Sequence, residues 1–154
     1  MKGKVGKTIT YIAFGIYGLA MCILLFGRVP MERAAINLVP MKTVIKCIDF
    51  LFSDSYMVRH GVINLFGNIG MFIPLGFFLA TIWNQLRLFP CHILTTAVII
   101  IAVEVVQLIT LTGSADIDDL ILNVLGSAAG FWVYKVYEAI RNRIINKKSE
   151  KQIG

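Results

Sequence analysis

Charge is scarce in this sequence. Only 16% of its 154 residues are Asp, Glu, Lys or Arg, against roughly a quarter in soluble domains, and the mean hydropathy is +0.76. A water-soluble globule is therefore not expected. Cysteine is also sparse. Cys22, Cys47 and Cys91 fall in separate parts of the chain, so they build no disulfide framework and read as free thiols used as small apolar residues. The two histidines, His60 and His92, are assigned to opposite faces of a membrane, which argues against a paired-histidine metal site. No HExxH motif and no Ser–His or Cys–His arrangement is visible. The net charge of +6 does not imply a nucleic-acid partner. Its basic residues gather at the two ends and in one loop rather than interleaving with aromatics.

Long apolar blocks take the place of charge. Thr8 to Phe26 and Val62 to Trp83 carry none, and Cys91 to Leu111 carries only Glu104. Leu120 to Val133 is again uncharged, within a helix placed at about 118–137. At 1.5 Å per residue, about 20 residues cross a ~30 Å hydrocarbon core. The fold class is thus an all-α membrane protein in a single domain, with four transmembrane helices near 8–27, 62–83, 91–111 and 118–137 and a basic tail over 138–154. Lys2, Lys4 and Lys7 before an apolar run resemble a signal peptide, and Leu19-Ala20-Met21-Cys22 loosely resembles a lipoprotein box. The run is too long and Met21 too large for either, so an uncleaved first helix is expected.

Lys and Arg set the orientation. Ten lie on the side of the termini and five on the other side, on loops that include Arg28 to Gly61. Both termini are therefore expected in the cytoplasm. The long loop carries Met41, Val44, Ile45, Ile48, Leu51 and Phe52 at helical spacing, opposite Lys42, Thr43, Lys46 and Asp49. This predicts an amphipathic helix over 40–52 lying in the outer interface, with Pro40 in its first turn. A lid over the bundle and a surface for lipid head groups or an amphiphilic ligand fit that pattern equally.

Polar residues inside a bilayer are costly and need an account. Asn64 and Asn68, Glu104 and Gln107, and Asp116, Asp119 and Asn123 recur at spacings of three and four, with Asp118 beside the last set. Glu104 lies ~10 Å below the outer surface and Gln107 ~6 Å, at 1.5 Å rise per residue. Three helices thus bring polar groups to one level of the outer leaflet. Each group also has a plain structural use. Asp116 can cap the last helix, Asp118 and Asp119 suit its N-terminal dipole, and the amides can link helices. Glu104 can serve as a neutral hydrogen-bonding link. One Glu, three Asp and several amides at one depth exceed what helix linkage requires, so the set is read as a functional cluster. Gly126 and Gly130 predict close approach of the last helix to the second, with Gly67 and Gly70 doing the same from the other side. Pro74 predicts a kink in the second helix.

Together these segments resemble the VanZ-like family. The resemblance rests on Asn37-Leu38-Val39-Pro40, Asn64-Leu65-Phe66-Gly67-Asn68, Phe72-Ile73-Pro74-Leu75-Gly76, Glu104-Val105-Val106-Gln107, and Asp116-Ile117-Asp118-Asp119 followed by Asn123 and Gly126. It covers about residues 8–138. Gly113 stands where many members carry an arginine, so that arginine's role does not carry over. The resemblance implies a bacterial cell-membrane protein, from a family whose named member raises resistance to the glycopeptide teicoplanin. It implies as partners membrane lipids and either an amphiphilic glycopeptide or a lipid-linked cell-wall precursor, with no cofactor. Two other classes stay open. One is a membrane-embedded enzyme acting on an envelope lipid or glycan, with Glu104 as acid or base and the aspartates holding a divalent cation. The other is a carrier using Glu104 as a proton site, disfavoured by the lack of an internal repeat.

Overall fold

The computed structural model describes residues 2–30, 32, 36–51 and 55–153. These form α1 (Lys2–Phe26), β1 (Ile36–Asn37), α2 (Lys42–Leu51), α3 (Ser55–Ile82), a 3-10 turn at Asn84–Arg87, α4 (Phe89–Thr110), β2 (Ala115–Asp116) and α5 (Ile117–Ile153). Among the described residues, four helices are long and apolar enough to cross a membrane, and they match the four apolar blocks. Two of them outrun their blocks. α3 begins at Ser55, about two turns before the uncharged stretch. α5 continues through the basic tail to Ile153 as one helix, and no Gly or Pro after Gly130 interrupts it before its end.

The centre of the bundle is the contact between α3 and α5, the most extensive in the molecule. Small residues make it possible. A Cβ added at Gly126 would strike the Ile69 carbonyl oxygen, and one at Gly130 the Ile73 carbonyl oxygen. The two backbones therefore touch along this seam, as the Gly126–Gly130 spacing predicts. The partner glycine on α3 is Gly76, whose added Cβ would strike the Ser127 carbonyl. Gly67 and Gly70, expected to share this task, face open space with no neighbour within 4 Å. They lie on α3 away from the α5 seam, where an added Cβ meets nothing.

Around the seam, Phe72, Leu75 and Leu79 of α3 pack with Met21 and Leu25 of α1 and Ile100 of α4. A second cluster, Ala80, Phe131 and Tyr134, closes the end nearer the termini. The outward row of α1, including Ile9, Ile12, Ile16, Leu19 and Ile23, is exposed, as suits a face turned to lipid.

Pro74 sits inside α3 without ending it. Proline blocks hydrogen bonding in the turn before it, and in hydrocarbon no water can compensate. From α1 the Tyr17 hydroxyl reaches the turn that contains Pro74 and donates to the Met71 carbonyl at 2.8 Å, a hydrogen bond that ties α1 to α3 inside the membrane span.

On the side opposite the termini, the two loops meet. β1 pairs in parallel with β2, Ile36 opposite Ala115 and Asn37 opposite Asp116. This short ladder ties the long loop to the entry of α5. Pro40 lies just before α2 rather than in its first turn, and Met41 occupies the N-cap position with a positive φ of 65°. On α2, Ile45 and Ile48 are exposed and Val44 is half-buried. An apolar face uncovered by protein is what an interfacial helix presents. Phe52, also assigned to that face, lies outside the described residues, as do the side chains of Asn64 and Cys47.

Candidate functional site

The entry of α5 organises the polar residues. Asp116 Oδ1 accepts from the Asp118 amide at 2.9 Å, the local N-terminal cap anticipated for this aspartate. The same oxygen accepts from the Asn37 side-chain amide at 3.1 Å. One carboxylate therefore both caps α5 and holds β1 in place.

Asp118 turns the other way. It is fully buried, and its two oxygens accept from the Met41 amide at 2.6 Å and the Val44 amide at 3.2 Å. These are the N-cap and third amides of α2. The sequence before α2 offers Val39, Pro40 and Met41, none able to cap with its side chain. An aspartate 77 positions away does it instead.

Asp119 faces α3, where the Asn68 amide donates to it at 2.6 Å. Gln107 is buried and donates to the Leu25 carbonyl at 3.0 Å, tying α4 to the end of α1. Asn123 is 5% exposed, and its Oδ1 is shielded without a hydrogen-bond partner among the described residues. Glu104 accepts from the Asp116 backbone amide and lies within electrostatic reach of Asp116 and Asp119. Its Oε2 is shielded and has no hydrogen-bond partner among the described residues. Glu104, Asp116, Asp119 and Asn68 are thus linked at one end of the bundle. Gln107 serves α1, Asp118 serves α2, and Asn64 lies on α3 with its side chain outside the described residues.

Glu104 lines a groove of about 190 Å³ whose other walls are Leu38, Ile101, Val105, Leu108, Ala115, Asp116, Ile117 and Leu120. The groove lies between α4 and the entry of α5, under the strand-forming part of the long loop. It combines an apolar wall with acidic groups at one edge. It can accept a hydrocarbon segment with a hydrogen-bond donor or cation at its head. Among the described residues, no group of three or more His, Cys, Asp or Glu side chains is placed to hold a metal ion. The aspartates that a divalent cation would need are instead engaged by the Asn37, Met41, Val44 and Asn68 donors.

Several participants escape a reading of spacing alone. Asn37 belongs to one of the segments that carry the family resemblance, but nothing in the sequence aims it at Asp116. Arg28 is the cation whose charge acts on both Glu104 and Asp119; its place directly after the first apolar block was the available signal. Gly113 packs against Gln107, and a Cβ there would stand 3.2 Å from that side-chain amide. An arginine at 113 would require Gln107 to move. A Ser–His contact, not visible in the sequence, also forms: His92 Nε2 lies 3.0 Å from Ser127 Oγ, which is 3.0 Å from Thr96 Oγ1. All three are fully buried and line neither this groove nor the larger cavity near the termini. They link α4 to α5 beside the glycine seam.

Comparison with known proteins adds one match. The family model described as VanZ/LLP1 matches residues 14–138. No curated protein and no solved structure matches the chain.

Proposed function

The chain belongs to the VanZ/LLP1 family, a family associated in general with antibiotic resistance, and from that premise we propose that it confers low-level resistance to lipoglycopeptides such as teicoplanin. In this reading the protein sits in the bacterial cell membrane with both termini cytoplasmic. It engages the amphiphilic drug, or a lipid-linked cell-wall precursor, at the outer leaflet. The acyl or prenyl segment lies in the groove along Ile101, Val105 and Leu108, and a polar head group meets Glu104. The exposed Ile45 and Ile48 of α2 bring the loop to the same lipid interface.

One observation carries the reading. Glu104 is an acidic side chain on an apolar transmembrane helix, it lines an apolar groove, and its shielded Oε2 has no partner among the described residues. A carboxyl group in a hydrocarbon span costs a few kcal/mol, and helix linkage would ordinarily occupy both of its oxygens. The enzyme reading draws no comparable support, because the aspartates are engaged in holding loops and helices.

The test is expression in a sensitive Gram-positive host, with wild type and Glu104→Gln compared at matched protein level. The wild type is expected to raise the inhibitory concentration of teicoplanin more than that of vancomycin, which lacks the acyl chain. The Gln variant is expected to fall to the host's own level. Wild-type resistance from the variant at equal abundance would sink the proposal.

A further inference from the structure

A cavity larger than the Glu104 groove lies at the opposite end of the bundle. It measures about 440 Å³ and opens between the first turns of α1, the end of α3 and the second half of α5. Its lining includes Lys7, Arg87 and Arg141 with one acid, Glu138, and with Asn84 and Tyr134 as further hydrogen-bonding groups. The charge is unequal, and the acid is already engaged. Glu138 accepts from the Tyr134 hydroxyl at 2.5 Å and lies 3.7 Å from Arg87 and 3.6 Å from Lys135.

Arg87 is fixed from three directions. Besides Glu138, its Nε donates to the Ala80 carbonyl at 3.3 Å, and its guanidinium stands 5.5 Å from the Tyr134 ring centre. Such fixing orients a planar, multiply donating cation before any ligand arrives. Lys7 and Arg141 approach from the two long helices on either side. The site therefore joins one preset guanidinium, two flanking cations and the Asn84 side-chain amide. The apolar span of α3 ends at Ile82, and Ile82 and Asn84 both line the cavity. Its depth is thus the boundary between hydrocarbon and water, where head groups lie.

We propose that this cavity binds a phosphate group, presented by the head group of an anionic phospholipid in the leaflet on the side of the termini or by a soluble phosphate ester. Basic pockets between transmembrane helices suit such anions. The site is separate from the Glu104 groove and does not depend on what that groove binds.

The test uses the full-length protein in a zwitterionic detergent. Native mass spectrometry is run with phosphatidylglycerol, phosphatidylcholine or glycerol 1-phosphate added. Lys7→Gln with Arg141→Gln removes two exposed cations from the rim and leaves Arg87 in place. Lys147→Gln with Lys148→Gln removes the same charge farther along α5. The wild type and the tail variant are expected to retain phosphatidylglycerol over phosphatidylcholine, and the rim variant to lose about tenfold or more of that retention. Retention of glycerol 1-phosphate that the rim variant loses, without a lipid preference, supports the phosphate site and assigns the soluble source. Equal retention of both lipids with no bound phosphate ester, or equal losses in the rim and tail variants, would overturn the proposal.

Discussion

Replacing Asp118 by Ala should release α2 while leaving the transmembrane bundle assembled. The two amides that Asp118 caps, on Met41 and Val44, are the bonds that fix the start of α2. A side-chain cap is worth about 0.5–2 kcal/mol, and a bond to an ionised acceptor about 1.5–3 kcal/mol. Two such bonds, made by a fully buried carboxylate, place the loss near 3 kcal/mol on these scales. That is about a hundredfold in a local opening equilibrium, at 1.4 kcal/mol per tenfold. Met41 adds to the effect, since its positive φ is disfavoured for a side chain of its size. Without the cap it should relax to a negative φ and unwind the first turn. Hydrogen exchange on the detergent-solubilised protein reads this directly. Amides over 41–48 should lose about two orders of magnitude of protection, while those of α4 and the middle of α5 stay as in wild type. Asp118→Asn should fall between, because the amide keeps one accepting oxygen and turns a donor toward the other N–H. Unchanged protection over 41–48 in Asp118→Ala would refute the capping argument. A loss spread evenly over α3, α4 and α5 would show instead that Asp118 stabilises the whole bundle.

The remaining expectations concern the bundle and its orientation. Gly130→Ala should lower the melting temperature in detergent, because its Cβ meets the Ile73 carbonyl; Gly67→Ala, which meets open space, should be neutral or stabilising by up to about 1 kcal/mol. The opposite order would remove the seam from the account of stability. Tyr17→Phe removes the hydrogen bond from α1 to the Met71 carbonyl of α3 and should cost about 1–2 kcal/mol; a melting curve superimposable on wild type would show that the α1–α3 contact does not depend on it. Cysteines introduced at Lys46 and Ser114 should react with an impermeant reagent in intact cells, and labelling only after the cells are opened would reverse the assigned orientation.

What could be read from the sequence was whatever depends on spacing along one helix. The apolar blocks, the Gly126–Gly130 pair and the amphipathic pattern after Pro40 are all local, and each has its counterpart in the structure. The polar cluster was legible as a set of depths, since rise per residue converts position into height. It was not legible as a set of partners. Asp116, Asp118 and Asp119 are within four residues of one another, yet they serve the long loop, α2 and α3 respectively. Their directions are set by the turn into α5, and spacing does not report that turn. The same limit explains the glycines. Gly67, Gly70 and Gly76 look alike in sequence, and only the crossing with α5 selects Gly76. The His92–Ser127 contact joins residues 35 positions apart, and the basic cavity joins both ends of the chain, so no window along the sequence contains either.

The unbroken length of α5 has a mechanical consequence. Its 37 residues form a rod about 55 Å long, at 1.5 Å per residue, roughly 25 Å longer than the hydrocarbon layer is thick. Its first turn is gripped by the long loop through Asp116 and Asp118, and its far half forms one wall of the basic cavity. Pivoting near the glycine seam, such a rod converts a tilt of 5° into opposed displacements of about 1.5 Å at its first turn and about 3 Å at its far end, by its length alone. A shift of the loop that tilted this rod would in the same movement displace Arg141 at the opposite end of the bundle.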